Sequence, residues 1–504
     1  MRSQPVLVTG STGYVGGRLV PQLLSSGHRV RVLGRSLSKL QSHPWAAHPF
    51  LEMAQADVLD LGSLKKAAQG CWAAFYLVHS MSPGHKDFAE ADRKAAVNMA
   101  RAAGEAGMER IIYLGGLGEE TASLSKHLKS RTEVARILQS GRVPTTFLRA
   151  AMILGSGSAS FEILRYLAER LPVMITPRWV RNPVQPIAIR NVLNYLQGCL
   201  ETGETTGGTF DIGGPDVLTY HRLLEIYAEE AGLARRWIIP VPVLTPRLSS
   251  FWIHLVTPVP SYIARPLTEG LRNPVVCRED RIRSLIPQDL MSCRQTIRLA
   301  LGRIHNQCVE TCWSDAGQPS VPEWRHCGDA SYSGGDILES GHRIVLDAAP
   351  EEVWKPIVRI GGPTGWYAAN ALWVLRGAMD RLVGGIGLRR GRRDPVRLYV
   401  GDAVDFFRVI DVEEPRHLYL LAEMKFPGQA SLEFKLNPMK DGRTELQQVS
   451  RYVPKGLSGL LYWYILYPFH QWVFWGMLKG IAKAVGKPVI KGPERLKPRR
   501  HLVC

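Results

Sequence analysis

The sequence is poor in cysteine and shows no leading apolar segment. Only 8 of its 504 residues are Cys, which is too few for the disulfide framework of a small secreted domain. The chain reaches an apolar strand at 6–8 with no longer apolar run before it, so no secretory signal is recognisable. Both features favour a reducing compartment, and we expect a cytoplasmic protein.

Acidic residues are also scarce relative to basic ones. Asp and Glu number 45 against 63 Lys and Arg, a formal net charge of +18 that favours anionic partners. Two segments concentrate this charge. Residues 376–397 contain seven basic and two acidic residues, and residues 479–500 contain eight basic and one acidic residue. No zinc-finger, recognition-helix or RNA-recognition pattern accompanies them, so we expect no nucleic-acid partner. Solvated basic faces and contact of 456–500 with an anionic membrane remain as alternatives.

The sequence contains no convincing metal-binding motif. Cys308 and Cys312 are separated by three residues and Cys327 stands alone, whereas structural zinc sites use two tightly spaced pairs. We therefore predict no metal. The surrounding residues 305–340 are polar and rich in Gly and Ser, a composition typical of a linker.

Short β runs alternate with amphipathic helical stretches over the first 155 residues. This alternation predicts an α/β domain built on a doubly wound parallel sheet over 1–155. A looser and more helical region follows at 156–304, which we interpret as a substrate lobe. After the linker, strand and helix patterns predict an α+β domain over 341–486 with an antiparallel meander, followed by a basic tail over 487–504.

A glycine-rich turn between the first strand and the first helix carries the strongest chemical signal. Gly10, Gly13 and Gly16 follow a G-x-x-G-x-x-G spacing, which is typical of the dinucleotide-binding turn of a Rossmann sheet. Glycine lets the backbone approach a pyrophosphate, and the helix N-terminus stabilises its charge. The predicted cofactor-binding turn consists of Gly10, Ser11, Thr12, Gly13, Tyr14, Val15 and Gly16.

The end of the second strand predicts the choice of dinucleotide. NAD sites commonly place an acid there, whereas this strand is followed by Arg35 and Ser36. Because a guanidinium can bind a 2′-phosphate, we predict NADP(H) in preference to NAD(H). The remaining predicted cofactor contacts follow the third and fourth strands; they are Asp57, Val58, Leu77, Val78 and His79.

A long aromatic segment closes the last predicted domain. Residues 456–478 contain no formally charged side chain over 23 residues, a length that can cross a bilayer. Pro468, His470 and Gln471 near its middle oppose a span. A buried helix, a peripheral membrane contact and a true span all remain as interpretations.

Several motifs together resemble a known family. TGSTGYVG, the GRS after the second strand, the ADVLD turn and the strand YLVHSM resemble the NmrA-like branch of atypical extended short-chain dehydrogenase/reductases. Residues 335–485, with VLDAAPEEVWKPI, resemble a helix-grip (START-related, SRPBCC) domain. The pairing is similar to bacterial YbjT-like NAD(P)-binding oxidoreductases. The resemblance implies an NAD(P)-dependent oxidoreductase whose second domain binds an apolar ligand.

Short-chain reductases use a Tyr with a Lys four residues on, and a Ser at the end of the fifth strand, and this sequence departs at all three positions. Leu114, Gly115 and Gly116 stand where the Ser is expected, and His127 and Arg131 occupy the Tyr and Lys spacing. Two interpretations remain open. His127 donates the proton while Arg131 orients the ribose or substrate, or the pair only contacts cofactor or solvent.

The family's substrate pocket lies beyond the sheet. The residues that fall there are Arg149, Phe161, Pro177, Arg178 and Trp179. We expect a small apolar substrate, such as a quinone, an isoprenoid or a lipid-like carbonyl. The alternative is a non-catalytic NADP(H)-binding redox sensor or assembly factor with a lipid-binding second domain. The oligomeric state does not follow from the sequence.

Overall fold

The computed structural model describes most of the chain as two compact units, Met1–Gly317 and Gln318–Cys504. The described residues are 3–78, 88–117, 126–241, 253, 257, 261–270, 273–305, 337–383, 385–390, 392, 394–439, 441–454 and 456–496. Most of the predicted linker and the end of the predicted basic tail lie outside them.

A seven-stranded parallel sheet forms the centre of the first unit. Its strands, in spatial order, are β11 (Thr209–Ile212), β6 (Thr145–Ala150), β5 (Arg110–Gly116), β4 (Ala73–Tyr76), β1 (Val6–Thr9), β2 (Val30–Gly34) and β3 (Leu51–Gln55). The order reverses between β1 and β4, and this reversal opens a crevice at the carboxyl ends of the two strands. The predicted doubly wound sheet is confirmed.

Helices cover both faces of this sheet. They are α1 (Gly16–Ser25), α2 (Leu37–Gln41), α3 (Leu61–Ala68), α4 (Phe88–Glu105), α5 (Lys126–Gln139) and α7 (Ile189–Glu201). Successive strand residues point to opposite faces, so Val6 and Val8 enter one apolar core and Leu7 enters the other. Burial on both sides explains why the strands are almost continuously apolar.

The region after β6 is mixed rather than purely helical. Short strand pairs join β7 (Ile153–Leu154) to β10 (Ile187–Ala188), β9 (Pro183–Val184) to β12 (Leu218–Thr219), and β8 (Val173–Pro177) to β13 (Trp237–Val241). The helices are α6 (Ala159–Arg170), α8 (Tyr220–Glu230), α9 (Ser261–Gly270), α10 (Arg281–Leu285) and α11 (Cys293–His305). Strand β11 comes from this region but completes the large sheet, because its apolar residues pack beside β6.

The second unit is an antiparallel sheet with helices on one face. Its strands, in spatial order, are β15 (Ala403–Val404), β16 (Phe407–Glu413), β17 (His417–Ala422), β18 (Gly428–Pro438), β19 (Thr444–Pro454), β14 (Leu338–Leu346) and β20 (Val489–Arg495). The helices are α12 (Pro350–Val358), α13 (Asn370–Leu382) and α14 (Gly456–Val485). The predicted meander and terminal helix are confirmed.

Two boundaries of the second unit differ from the sequence-based ones. Strand β14 begins at Leu338, inside the segment assigned to the linker, and β20 lies within the predicted basic tail. Strand β14 was predicted from His342, four residues after its true start, whereas β20 was overlooked because its apolar content is low. Backbone pairing of β20 with β14 places part of the tail in the sheet.

Helix α14 contacts β14, β19 and α12 along one side. Its buried residues join an aromatic core that includes Trp366, Trp373, Phe406 and Phe407. In the part of the chain that the structure describes, no helix combines the length and apolar content that crossing a bilayer requires.

Candidate functional site

The glycine turn lies at the carboxyl end of β1, where the sheet order reverses. Gly10 adopts a φ of +69°, and its carbonyl oxygen accepts a hydrogen bond of 2.9 Å from the Gly13 amide. A Cβ on Gly16 would collide with the carbonyl oxygen of Gly10. Glycine is therefore required at the first and last positions by the backbone itself.

Hydrogen bonds fix this turn between the two neighbouring strands. The Thr9 hydroxyl donates to the Phe75 carbonyl at 3.1 Å and accepts from the Leu77 amide at 3.2 Å. The Ser11 hydroxyl is buried and donates to the Leu33 carbonyl at 3.0 Å. The side chain of Ser11 thus positions the turn, and Thr9 is a positioning residue that the motif alone does not reveal.

The N-terminus of α1 lacks both a side-chain cap and a nearby acid among the described residues of its own first turn. Val15 occupies the N-cap position without a side-chain hydrogen bond, and the first turn contains no acidic residue. The free N–H groups and the positive end of the helix dipole suit an anion. These residues therefore fit the pyrophosphate of a dinucleotide.

Arg18 connects the turn to the segment that follows β7. Its guanidinium is buried, lies 4.8 Å from the centre of the Tyr14 ring and donates to the Ser156 carbonyl at 2.8 Å. A Cβ on Gly155 would come within 2.6 Å of the Tyr14 hydroxyl. Sequence reasoning missed Arg18; its position in the first turn of α1, directly after the glycine motif, is the signal that could have found it.

Arg35 follows β2 and is exposed. Within the described residues its guanidinium makes no ion pair, and its carbonyl accepts a hydrogen bond of 3.1 Å from the Gln55 side chain. The Ser36 hydroxyl caps the short helix α2 by accepting from the Lys39 amide at 3.3 Å. Arg35 is therefore placed as a cation at the strand end where an NAD site has an acid.

The other predicted cofactor residues lie at the ends of the next strands. Asp57 follows β3, and its carboxylate accepts from the Leu59 amide at 2.9 Å, which stabilises a local turn. The Val58 carbonyl accepts from the Asn98 side chain at 2.9 Å. Leu77 and Val78 are half-buried at the end of β4, and His79 lies outside the described residues.

The middle one of the three residues that stand where a serine is expected has no room for a side chain. Gly115, near the end of β5, lies beside the rings of Tyr113 and Phe147, which stack with centroids 5.1 Å apart. A Cβ on Gly115 would approach an edge carbon of the Phe147 ring to 2.6 Å. A serine cannot occupy this position unless Phe147 moves.

Helix α5 carries the predicted catalytic pair. The backbone of His127 is helical, and its side chain lies outside the described part of the structure. Arg131 is buried, and its carbonyl accepts from the Tyr113 hydroxyl at 3.4 Å. Burial raises the pKa of Tyr113, and the charge of Arg131 partly offsets this rise. The neighbouring Ser130 hydroxyl donates to buried Asp92 at 3.1 Å, a contact that the sequence did not suggest.

The three predicted substrate residues have different surroundings. Arg149 on β6 pairs with the buried carboxylate of Asp211 on β11 at 2.6 Å, and this ion pair accounts for Arg149 without a substrate. Arg178 is exposed, whereas the indole nitrogen of Trp179 is buried without a hydrogen-bond partner among the described residues. Phe161, expected near the pocket, is instead fully buried against Tyr227. No metal-binding group of three His, Cys, Asp or Glu occurs among the described residues.

The fold and the uncapped glycine turn define the class of the first unit as a dinucleotide-binding Rossmann domain. Comparison with known proteins agrees: residues 10–165 match the family model described as NAD(P)H-binding. Residues 337–477 match a second family model, described as a protein of unknown function (DUF2867). The first unit is therefore an NAD(P)-binding domain, and the helix-grip assignment of the second unit stays a prediction.

Three curated relatives are similar to this chain. A mitochondrial NADH dehydrogenase [ubiquinone] 1 alpha subcomplex subunit 9 from Arabidopsis thaliana is 23% identical over 297 residues. A cinnamoyl-CoA reductase 1 from Oryza sativa subsp. japonica is 29% identical, and a 3 beta-hydroxysteroid dehydrogenase/Delta 5-->4-isomerase from Mycobacterium tuberculosis is 34% identical. The matches cover 56%, 23% and 21% of this chain. They span 70%, 35% and 30% of the relatives' own lengths.

Two solved structures are similar to part of this chain. The triphenylmethane reductase of Citrobacter sp., complexed with NADP(H), is 20% identical with a TM-score of 0.49; the alignment covers 58% of this chain and 99% of that one. A nucleoside-diphosphate-sugar epimerase from Staphylococcus aureus is 16% identical with a TM-score of 0.49, and the coverage is again 58% and 99%.

Proposed function

We propose that the first unit binds NADP(H) in preference to NAD(H) and transfers hydride between it and an apolar small molecule. One observation carries this proposal: an uncapped helix N-terminus stands beside a strand end whose charged side chain is Arg35. Backbone N–H groups of the turn would hold the pyrophosphate. The Arg35 guanidinium would bind a 2′-phosphate through charge-assisted hydrogen bonds.

Reduction of a carbonyl or quinone needs a proton as well as a hydride. The reduced nicotinamide supplies the hydride when it is bound. His127 would donate the proton to the oxygen that becomes a hydroxyl, because an imidazole exchanges protons near neutral pH. The buried phenol of Tyr113 suits this role less, since burial raises its pKa and its hydroxyl already donates to the Arg131 carbonyl.

The names of two relatives support an apolar substrate. One is a cinnamoyl-CoA reductase and one a 3 beta-hydroxysteroid dehydrogenase. The matches span 35% and 30% of these two relatives. The side chain of Trp179 could contact such a substrate with its apolar ring. Its buried indole nitrogen, which has no hydrogen-bond partner among the described residues, would then be a hydrogen-bond donor.

A second candidate function is favoured by a different observation. Phe147 fills the space beside Gly115, one of the three residues that stand where the resembled family has its serine. The Arabidopsis relative bears the name of a subunit of a respiratory dehydrogenase. Both facts support an NADP(H)-binding protein that acts as a sensor or an assembly factor without turnover.

Oxidation of NADPH by the purified chain separates the two candidates. A panel of quinones and apolar carbonyls is supplied, and the loss of reduced-nicotinamide absorbance is measured. We expect turnover that falls at least about a hundredfold in His127→Ala, the lower end of the range for loss of a general acid. Lys129→Ala, an exposed change on the same helix, serves as the control. Tight NADPH binding with no turnover on any compound supports the second candidate, and unchanged turnover in His127→Ala removes that residue's role.

A further inference from the structure

The outer side of α14 is apolar along most of its length. Trp463, Phe474 and Met477 face the core, while six large apolar or aromatic residues on the opposite side are each 39–65% exposed. The exposed residues are Leu461, Tyr464, Ile465, Phe469, Trp472 and Trp475. Because they recur every three or four positions, they lie on one side of the helix. The solvent side of an ordinary surface helix is polar.

Helix α13 extends this apolar surface. Four of its side chains, Leu372, Leu375, Met379 and Leu382, are 40–79% exposed. The Arg376 guanidinium contacts the Tyr462 hydroxyl and lies 3.5 Å from His470. A Cβ on Gly476 would lie 3.0 Å from Ala368. These contacts connect α13, and the residue Ala368 that precedes it, to α14.

Basic residues border the apolar surface at one end. Lys479 and Lys483 are exposed and follow Trp475 by one and two helical turns on the same side of α14. The Lys479 ammonium lies 3.7 Å from the centre of the Trp475 ring. Residues 456–478 contain no acid, and residues 479–500 contain only Glu494 against eight Lys and Arg. The surface therefore combines apolar area, Trp and Tyr with a concentrated positive charge.

We propose that the exposed sides of α13 and α14 dock the chain on the surface of an anionic lipid bilayer. Trp and Tyr favour the headgroup region, apolar side chains enter the acyl boundary, and Lys pairs with anionic lipid. A second copy of the chain fits less well, because residues 456–485 of that copy would offer the two Lys groups no acidic partner. Helix α14 lies on the bilayer rather than across it, in agreement with the absence of a spanning helix among the described residues. This inference does not rest on the dinucleotide site.

Co-sedimentation of the full chain with vesicles tests the proposal. Vesicles of phosphatidylcholine are compared with vesicles that contain phosphatidylglycerol as the anionic component. We expect binding that increases with anionic lipid and decreases with salt. The double variant Lys479→Ala/Lys483→Ala is expected to weaken binding about fivefold per lysine, the equivalent of ~1 kcal/mol each.

A matched pair of tryptophan variants distinguishes binding through the proposed docking surface from nonspecific hydrophobic binding to vesicles. Trp472→Asp changes a side chain that is 60% exposed on α14, and Trp237→Asp changes one that is 66% exposed on β13 of the other unit. Only Trp472→Asp is expected to lose vesicle binding, while circular dichroism shows that both variants stay folded. No binding to anionic vesicles overturns the proposal, and so does equal loss in both variants. If the native chain is a dimer that does not bind vesicles, and Trp472→Asp makes it monomeric, the surface serves self-association instead.

Discussion

Arg35 and Arg29 flank the same strand, β2, at its two ends. Arg35 follows the carboxyl end, beside the glycine turn, and Arg29 precedes the amino end and pairs with Glu52 at 3.4 Å. In our proposal only Arg35 contacts the dinucleotide, at its 2′-phosphate. The two residues therefore form a matched pair for testing cofactor choice, with the same charge and similar exposure.

Arg35→Ala is expected to lower the affinity for NADPH about tenfold or more. The reason is the loss of charge-assisted hydrogen bonds, which are typically worth about 1.5–3 kcal/mol each. Affinity for NADH, which has no 2′-phosphate, should change little. Calorimetric titration of both dinucleotides measures this difference. Equal losses in Arg35→Ala and Arg29→Ala would argue against a phosphate contact at Arg35.

Gly115→Ser places a serine in the stretch where the resembled family has one but is expected to destabilise the fold. The new Cβ meets the Phe147 ring at 2.6 Å, and overpacking of this kind typically costs about 1–3 kcal/mol. Urea denaturation followed by circular dichroism measures the free energy of unfolding. Gly104→Ser is the control, since its Cβ meets nothing nearer than 3.6 Å. Similar stability of Gly115→Ser and the native chain would show that the position is open.

At the scale of secondary structure, the outer face of the second sheet carries a buried charge network. His417 on β17 lies 2.7 Å from Glu433 on β18, and Arg451 on β19 approaches the same carboxylate at 2.6 Å. Asp411 and Glu433 raise the pKa of His417 to about 9. Burial alone would raise the pKa of Glu433, but His417 and Arg451 together lower it.

This network predicts how stability depends on pH. The pKa of His417 is higher in the folded chain than the ordinary value of about 6.5. Its stabilising contribution is therefore complete below about pH 6.5 and is lost as the pH rises through about 9. His417→Gln should cost on the order of 1–3 kcal/mol at pH 6 and much less at pH 10, as measured by urea denaturation. A cost that does not depend on pH would contradict the assignment.

Most secondary-structure elements were predictable because hydrophobic periodicity is a local property. Alternating apolar residues predicted β16 to β18, and buried runs predicted the parallel strands. Strand β20 was not predictable, because Val489–Arg495 contains only two apolar aliphatic side chains. Its pairing with β14 is a tertiary contact, which a local pattern does not contain.

At the scale of the whole molecule, the division into two compact units follows from the change of pattern beyond the linker. The dinucleotide turn was predictable, because its glycines are imposed by short-range backbone contacts. The surroundings of the predicted catalytic and substrate residues were not predictable from the sequence. The Phe147 ring beside Gly115 and the Asp211 partner of Arg149 come from strands distant in the sequence.

Direct calorimetric titration of the intact purified chain with NADPH and with NADH tests the central claim. The uncapped turn at Gly10–Gly16 and the cation at Arg35 predict that both dinucleotides bind and that NADPH binds more tightly. Absence of heat and of saturable binding for either dinucleotide would contradict the account of the first unit. Tighter binding of NADH would contradict the role of Arg35.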